Sequence, residues 1–160
     1  MQLIQRQTQP EDLVSCVDLV HKNSLSLTHP KKEIVEMLTH FLQSQMANSA
    51  VVVDVSQKEP SIVGFGLSIC VKEDFLESCL TIPDLHPTET IINLWKTSQS
   101  PARSLPKIRQ ANKQQGLNIL GVYTAWTKDG LNDEQCAPIR DKMLSSLFAP
   151  HQGYNLNYSF

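Results

Sequence analysis

Residues 50–71 read AVVVDVSQKEPSIVGFGLSICV. Two runs rich in β-branched residues, 50–55 and 61–71, lie on either side of the polar segment 56–60. β-Branched residues favour strands, and a short polar segment with a proline between two such runs is typical of a hairpin connection. We therefore predict an antiparallel hairpin over these residues.

A further strand signal lies at residues 117–126, which read LNILGVYTAW. This run is apolar without strict alternation, as expected for a strand in the interior of a sheet. Residues 154–160 alternate apolar with polar, which predicts a half-buried strand. Between the two, a helix is predicted to begin between Asp133 and Pro138. Its predicted buried residues are Ile139, Met143, Leu144, Leu147 and Phe148.

Apolar residues recur at helical spacing in two segments before the hairpin. The first helix is predicted to begin with Thr8 as its cap and Pro10 in its first turn, and to end near Asn23. The second is predicted to begin at residues 28–30 and to end near Ala47. Shorter helices are predicted at 74–80, 88–97 and 104–116. Together these elements predict a single α/β domain over residues 1–160.

The composition is that of a folded domain. Hydrophobic residues make up 41% and charged residues 19% of the 160 residues, which excludes the disordered class. The start of the chain turns polar at once, and no apolar run approaches the roughly 20 residues of a membrane span, so we predict a cytoplasmic protein without membrane contact. The four cysteines show no C-x-x-C pair and are predicted to be reduced core thiols.

Charge is unevenly distributed along the chain, although the net charge is only −2. Residues 90–128 hold six Lys or Arg and no Asp or Glu. This segment either attracts an anionic ligand or is a solvated helix face that balances acidic neighbours, and the second interpretation is favoured. The segment lacks the interleaved aromatic residues of a single-strand binder, so direct contact with DNA is not expected.

The order strand, two helices, hairpin, interior strand, helix, strand is similar to the front of a GNAT-type N-acetyltransferase. Two local stretches, 116–126 and 148–154, resemble segments of a bacterial group in which a GNAT-like domain precedes a LuxR-type helix-turn-helix module. The resemblance implies a GNAT-like, mixed, mostly antiparallel sheet flanked by helices (α+β). It also implies that DNA is bound only through that separate module. Since the last predicted strand ends at Phe160, the chain is expected to be a fragment of a longer protein or to form a homodimer.

Active GNAT enzymes hold the pyrophosphate of coenzyme A in a Q/R-x-x-G-x-G/A loop at a helix N-terminus. The matching stretch here, 127–138, has one glycine, and it places Asp129, Asp133 and Glu134 where the phosphates would lie. The resemblance supplies no catalytic residue, because the general acid of the family lies beyond Phe160. The leading hypothesis is therefore a non-enzymatic ligand-sensing or assembly domain without a cofactor. The alternative is an N-acetyltransferase that holds acetyl-CoA through residues 90–128.

The candidate ligand-binding residues lie at the end of the interior strand. Tyr123, Thr124 and Trp126 are predicted to face Tyr154 and Asn155 across a cleft, where open sheets tend to place ligands. The alternative is that Tyr123 and Trp126 belong to the core. No metal site is predicted, because the five histidines lack ligand spacing. The G-x-G at 64–66 lies within a strand and predicts a bulge or close packing.

Overall fold

The computed structural model describes residues 1–23, 28–82, 87–104, 106–108, 110, 117–127, 130–151 and 156–159. Five strands form one sheet in the order β1-β2-β3-β4-β5. Neighbouring strands are antiparallel except β4 and β5, which are parallel. The strands are β1 (Leu3–Gln7), β2 (Ala47–Asp54), β3 (Ser61–Cys70), β4 (Leu117–Trp126) and β5 (Leu156–Ser159). The predicted hairpin, the interior position of β4 and the mixed, mostly antiparallel α+β class are confirmed.

Helices cover both faces of the sheet. On one face, residues of the helices that precede β4 join Val51, Phe65 and Leu67 in the main core. On the other face, the helix after β4 packs through Ile139 and Met143. The helices are α1 (Leu13–Asn23), α2 (Lys31–Gln43), α3 (Glu73–Thr81), α4 (Pro87–Lys96) and α5 (Asp133–Phe148), with 3-10 turns at Pro10–Asp12 and Ala149–His151.

The two glycines of β3 let α5 approach the sheet. A Cβ atom on Gly64 would lie 2.9 Å from Cγ2 of Ile139, and one on Gly66 would lie 2.9 Å from Cγ of Met143. A side chain at either position would therefore push α5 away from the sheet. The G-x-G therefore allows close packing of α5, as predicted. The register between β2 and β3 also shifts between Val52 and Val53, opposite Gly64.

Two predicted helix boundaries were wrong. The first helix is capped one residue later than predicted, because the backbone N of Gln9 donates to Oδ2 of Asp12 at 2.8 Å. Oγ1 of Thr8 has no hydrogen-bond partner among the described residues, so Thr8 does not cap the turn. The second helix ends at Gln43 rather than near Ala47, because Gln45 has a φ of 51° and this left-handed conformation breaks the helix.

The burial of two residues of α5 also differs from the prediction. Leu144 is 38% exposed, because it lies about 100° around α5 from the buried Met143. Phe148 is only half-buried, whereas Ile139 and Leu147 are buried as predicted.

Of the helix predicted at 104–116, residues 106–108 and 110 are helical and most of the others lie outside the described residues. All four cysteines are free thiols, and all are buried except Cys79, which is half-buried.

An ion pair fastens β1 to the first turn of the α1 region. Nη1 and Nη2 of Arg6 donate to the two carboxylate oxygens of Asp12 at 2.5 and 2.8 Å. The Asp12 side chain is 7% exposed, and it also accepts from the backbone of Gln9. The hydrogen bonds from Arg6 hold the pKa of Asp12 below its usual value, against the opposing effect of burial.

Replacing Asp12 by asparagine should lower the free energy of unfolding by about 2 kcal/mol at pH 7, because charged hydrogen bonds are lost. A carboxylate with a lowered pKa stabilises the fold above its unfolded pKa of about 3.9, and this contribution disappears as the pH falls through the folded value. Urea denaturation of wild type and Asp12→Asn should therefore differ at pH 7 and converge in acid. A difference that is independent of pH would contradict the assigned role.

Candidate functional site

The start of α5, directly after β4, is closed by its own side chains. Oδ1 of Asn132 accepts from the backbone N of Gln135 at 2.9 Å, and Oε1 of Gln135 accepts from the backbone N of Asn132 at 3.0 Å. The backbone N of Cys136 donates to the carbonyl of Asn132 at 3.0 Å. This is a capping box, and it occupies the backbone N–H groups of Asn132 and Gln135 at the helix end where a phosphate would otherwise bind.

Two carboxylates strengthen that closure. Asp133 and Glu134 are exposed in the first turn of α5. Negative side chains at a helix N-terminus are stabilised by the helix dipole, and they repel a pyrophosphate from the same position. Gly130 is exposed with a φ of 70°, and a Cβ there would meet no atom within 4 Å. Asp129, which the sequence analysis also placed near the phosphates, lies outside the described residues.

Tyr123 lies in the main core rather than in a cleft. It is 4% exposed, and its ring stacks on Phe65 with the ring centroids 6.5 Å apart. Burial raises the pKa of its phenol, and the carboxylate of Glu89 adds to this effect. Its hydroxyl has no hydrogen-bond partner among the described residues. Tyr123 therefore stays protonated at neutral pH and contributes its ring to the core.

Replacing Tyr123 by phenylalanine should leave the free energy of unfolding unchanged or raise it by about 1 kcal/mol. A buried hydroxyl without a partner costs free energy, and phenylalanine keeps the stacked ring. Urea denaturation measures this change, with Tyr123→Leu as the control that loses the ring and should be less stable. A loss of more than about 1 kcal/mol in Tyr123→Phe would mean that the hydroxyl is satisfied.

The structure does not bring the two predicted aromatic walls together. Trp126 is half-buried and packs against the cluster of Val52, Ile139 and Met143 on the α5 face. Tyr123 packs on the opposite face, because residues an odd number apart in a strand point to opposite sides. The prediction that both line one cleft was therefore wrong. Thr124 is exposed, and its role in ligand binding stays a prediction. Tyr154 and Asn155 lie outside the described residues.

A cavity of about 500 Å³ lies at the other end of α5. Its walls come from the end of β1, the connection between α2 and β2, the end of β3 and the turn at Ala149–His151. Since α5 has 16 residues, this cavity lies about 24 Å along the helix from its capped N-terminus. The volume is within the usual range of small-molecule sites, which is roughly 300–1,000 Å³.

Asn48 and Ser68 of the sheet line the cavity and also hold the C-terminus of α5. Nδ2 of Asn48 donates to the carbonyls of Ser146 and Leu147, each at 3.1 Å. Oγ of Ser68 donates to the carbonyl of Leu147 at 3.3 Å. These bonds satisfy carbonyls at the C-terminus of the helix, which have no partner within it. The cavity is therefore held in shape by hydrogen bonds between sheet and helix.

Two polar side chains that line the cavity have unused hydrogen-bonding atoms. Thr8 is 6% exposed, and its Oγ1 has no partner among the described residues. Nε2 of His151 is buried and equally without a described partner. Burial lowers the pKa of His151, so its imidazole is neutral at pH 7 and can donate or accept one hydrogen bond.

Sequence reasoning missed this cavity. Its lining residues come from separate elements, and a local pattern cannot show that these elements meet. The only local signals were the stretch 148–154, which was part of the family resemblance, and two glutamines, Gln43 at the end of α2 and Gln45 just after it. Neither signal has the spacing of a known ligand motif.

The described residues show two further features that bear on function. No described helix has both the length and the apolar composition that crossing a bilayer requires. Among the described residues, no three His, Cys, Asp or Glu side chains are grouped so that they could hold a metal ion.

No protein-family model matches the chain, and no curated protein matches it significantly.

Proposed function

We propose that this chain is a non-enzymatic ligand-sensing domain of a bacterial LuxR-type transcription regulator, with a GNAT-like fold. The motif resemblance of residues 116–126 and 148–154 supports the family. The strands and helices on which that resemblance depends occur in that order, with α3 and α4 added between the hairpin and β4. In this proposal the partners are a small-molecule ligand, a second copy of the chain, and DNA through a separate helix-turn-helix module.

The observation that carries the proposal is the closed start of α5. A coenzyme A enzyme of this type needs free N–H groups and room for two phosphates at that position. Here the side chains of Asn132 and Gln135 each accept a hydrogen bond from the backbone N–H of the other. Asp133 and Glu134 add two negative charges. These features argue for a fold that keeps the sheet of an acetyltransferase and binds a different ligand.

The basic segment gives the alternative, an N-acetyltransferase that uses acetyl-CoA, limited support. Nζ of Lys96 lies 2.5 Å from Oε2 of Glu33, so this lysine links α4 to α2 rather than standing free for a phosphate. Arg103 is half-buried and Lys107 is exposed. Arg109, Lys113 and Lys128 lie outside the described residues. The one contact described for the basic segment, between Lys96 and Glu33, favours the interpretation that its positive charges balance acidic neighbours.

The natural reading frame and the DNA affinity of its product test the proposal. We expect the codons after Phe160 to encode a helix-turn-helix segment, and the full-length product to bind duplex DNA through the recognition helix of that segment. Deleting the segment should abolish DNA binding and leave the domain folded. A stop codon directly after Phe160, or a full-length product without DNA affinity, would contradict the proposal.

A further inference from the structure

The described lining of the cavity at the C-terminal end of α5 combines polar and apolar side chains. Among its described lining residues none is Asp, Glu, Lys or Arg. Five of them carry side-chain amides, namely Gln7, Gln9, Gln43, Gln45 and Asn48. An amide side chain offers both donors and an acceptor, so it can pair with amides and hydroxyls of either polarity.

The same cavity has an apolar part. Leu42, Met46 and Ile108 contribute hydrophobic surface to the lining. Sites for small molecules commonly combine such surface with a few polar groups that fix the orientation of the ligand. A ligand that fits this lining therefore has an apolar body as well as hydrogen-bonding groups.

The electrostatics of the site disfavour charged ligands. An anion would find no Lys or Arg among the described lining residues to offset the loss of its hydration. A cation would find no carboxylate among the described lining residues to offset the loss of its hydration.

We infer that this cavity is a binding site for uncharged small molecules that carry amide or hydroxyl groups on a partly apolar body. The inference rests on the proposed ligand-sensing function and adds the place and the chemical class of the ligand. The exposed side-chain amides of Gln7, Gln9, Gln43 and Gln45 are the groups with which such a ligand would pair.

Three probes with one backbone test the charge preference. N-acetyl-L-leucinamide is neutral, N-acetyl-L-leucine carries a carboxylate, and N-acetyl-L-lysinamide carries an ammonium group. Binding to the full chain is followed by amide chemical shifts in 1H–15N NMR spectra. For a neutral ligand of this size we expect a dissociation constant on the order of millimolar, with shifts at Asn48 and His151. Each charged probe should bind at least about tenfold more weakly.

Two variants locate the binding. Ala47→Leu adds volume to the lining and should abolish the shifts, whereas Ser145→Leu, at an exposed position on α5, should leave them unchanged. Gln43→Lys places a cation at the exposed end of α2 without burying it, so it keeps the fold. This variant should bind N-acetyl-L-leucine about tenfold more tightly than wild type does, since a charged hydrogen bond is gained.

Different measurements would overturn this inference and the proposed function. The inference is overturned if the neutral probe causes no shifts at the cavity, or if either charged probe binds at least as tightly as the neutral one. Neither result excludes ligand sensing elsewhere in the protein. If the full-length product lacks DNA affinity, the regulator proposal fails, whatever the probes do.

Discussion

Replacing Phe65 by alanine should lower the free energy of unfolding by about 3–5 kcal/mol. Phe65 is fully buried in β3, the middle strand of the sheet, and its ring stacks on Tyr123. Alanine would leave a cavity in the main core, between the sheet and the helices that precede β4. Denaturation by urea, followed by circular dichroism, measures the loss.

Phe65→Leu is the matched control for that experiment. Leucine keeps most of the buried volume, so its cost should stay below about 2 kcal/mol. If Phe65→Ala and Phe65→Leu are equally stable, the side chain is not enclosed as described, and the placement of β3 at the centre of the sheet would be wrong.

Replacing Trp126 by alanine should lower the free energy of unfolding by about 2–4 kcal/mol, even without any ligand. The indole packs against the cluster that joins β2 and β3 to α5, and its cross-strand neighbour is Gly64, which has no side chain to take its place. The expected loss is smaller than for Phe65 because Trp126 is only half-buried.

Trp126→Phe should recover most of that stability, because a smaller ring still covers Gly64 and contacts α5. Thermal and urea denaturation of both variants measure the difference. A Trp126→Ala variant as stable as wild type would show that the indole does not support α5, and it would return Trp126 to the list of residues that serve a ligand.

The order of elements could be predicted because strong local signals mark it. The β-branched runs of β2 and β3 flank a polar turn, and the apolar run of β4 is followed by Asn132 and a helical pattern. One error arose at the start of the first helix, where Gln9 rather than Thr8 is the N-cap. Asp12 accepts from the backbone N of Gln9 and is held in place by Arg6, and that contact depends on β1 lying nearby.

The site was harder to predict than the fold because it depends on which face each residue occupies. The parity of β4 places Tyr123 and Trp126 on opposite faces, and this could have been read from their spacing alone. The cavity could not be predicted in the same way, because Thr8, Asn48 and His151 are brought together only when β1, β2 and the end of α5 pack. The closed start of α5 was partly predictable, since Asp133 and Glu134 are visible in the sequence.

The central claim is that α5 begins with a closed, acidic cap that does not hold a coenzyme A pyrophosphate. Calorimetric titration of the folded chain with acetyl-CoA tests it most directly. We predict no heat of binding up to millimolar ligand, because N–H groups at the cap are occupied and the carboxylates of Asp133 and Glu134 repel phosphates. Binding at micromolar concentration or tighter would contradict the claim and favour the acetyltransferase.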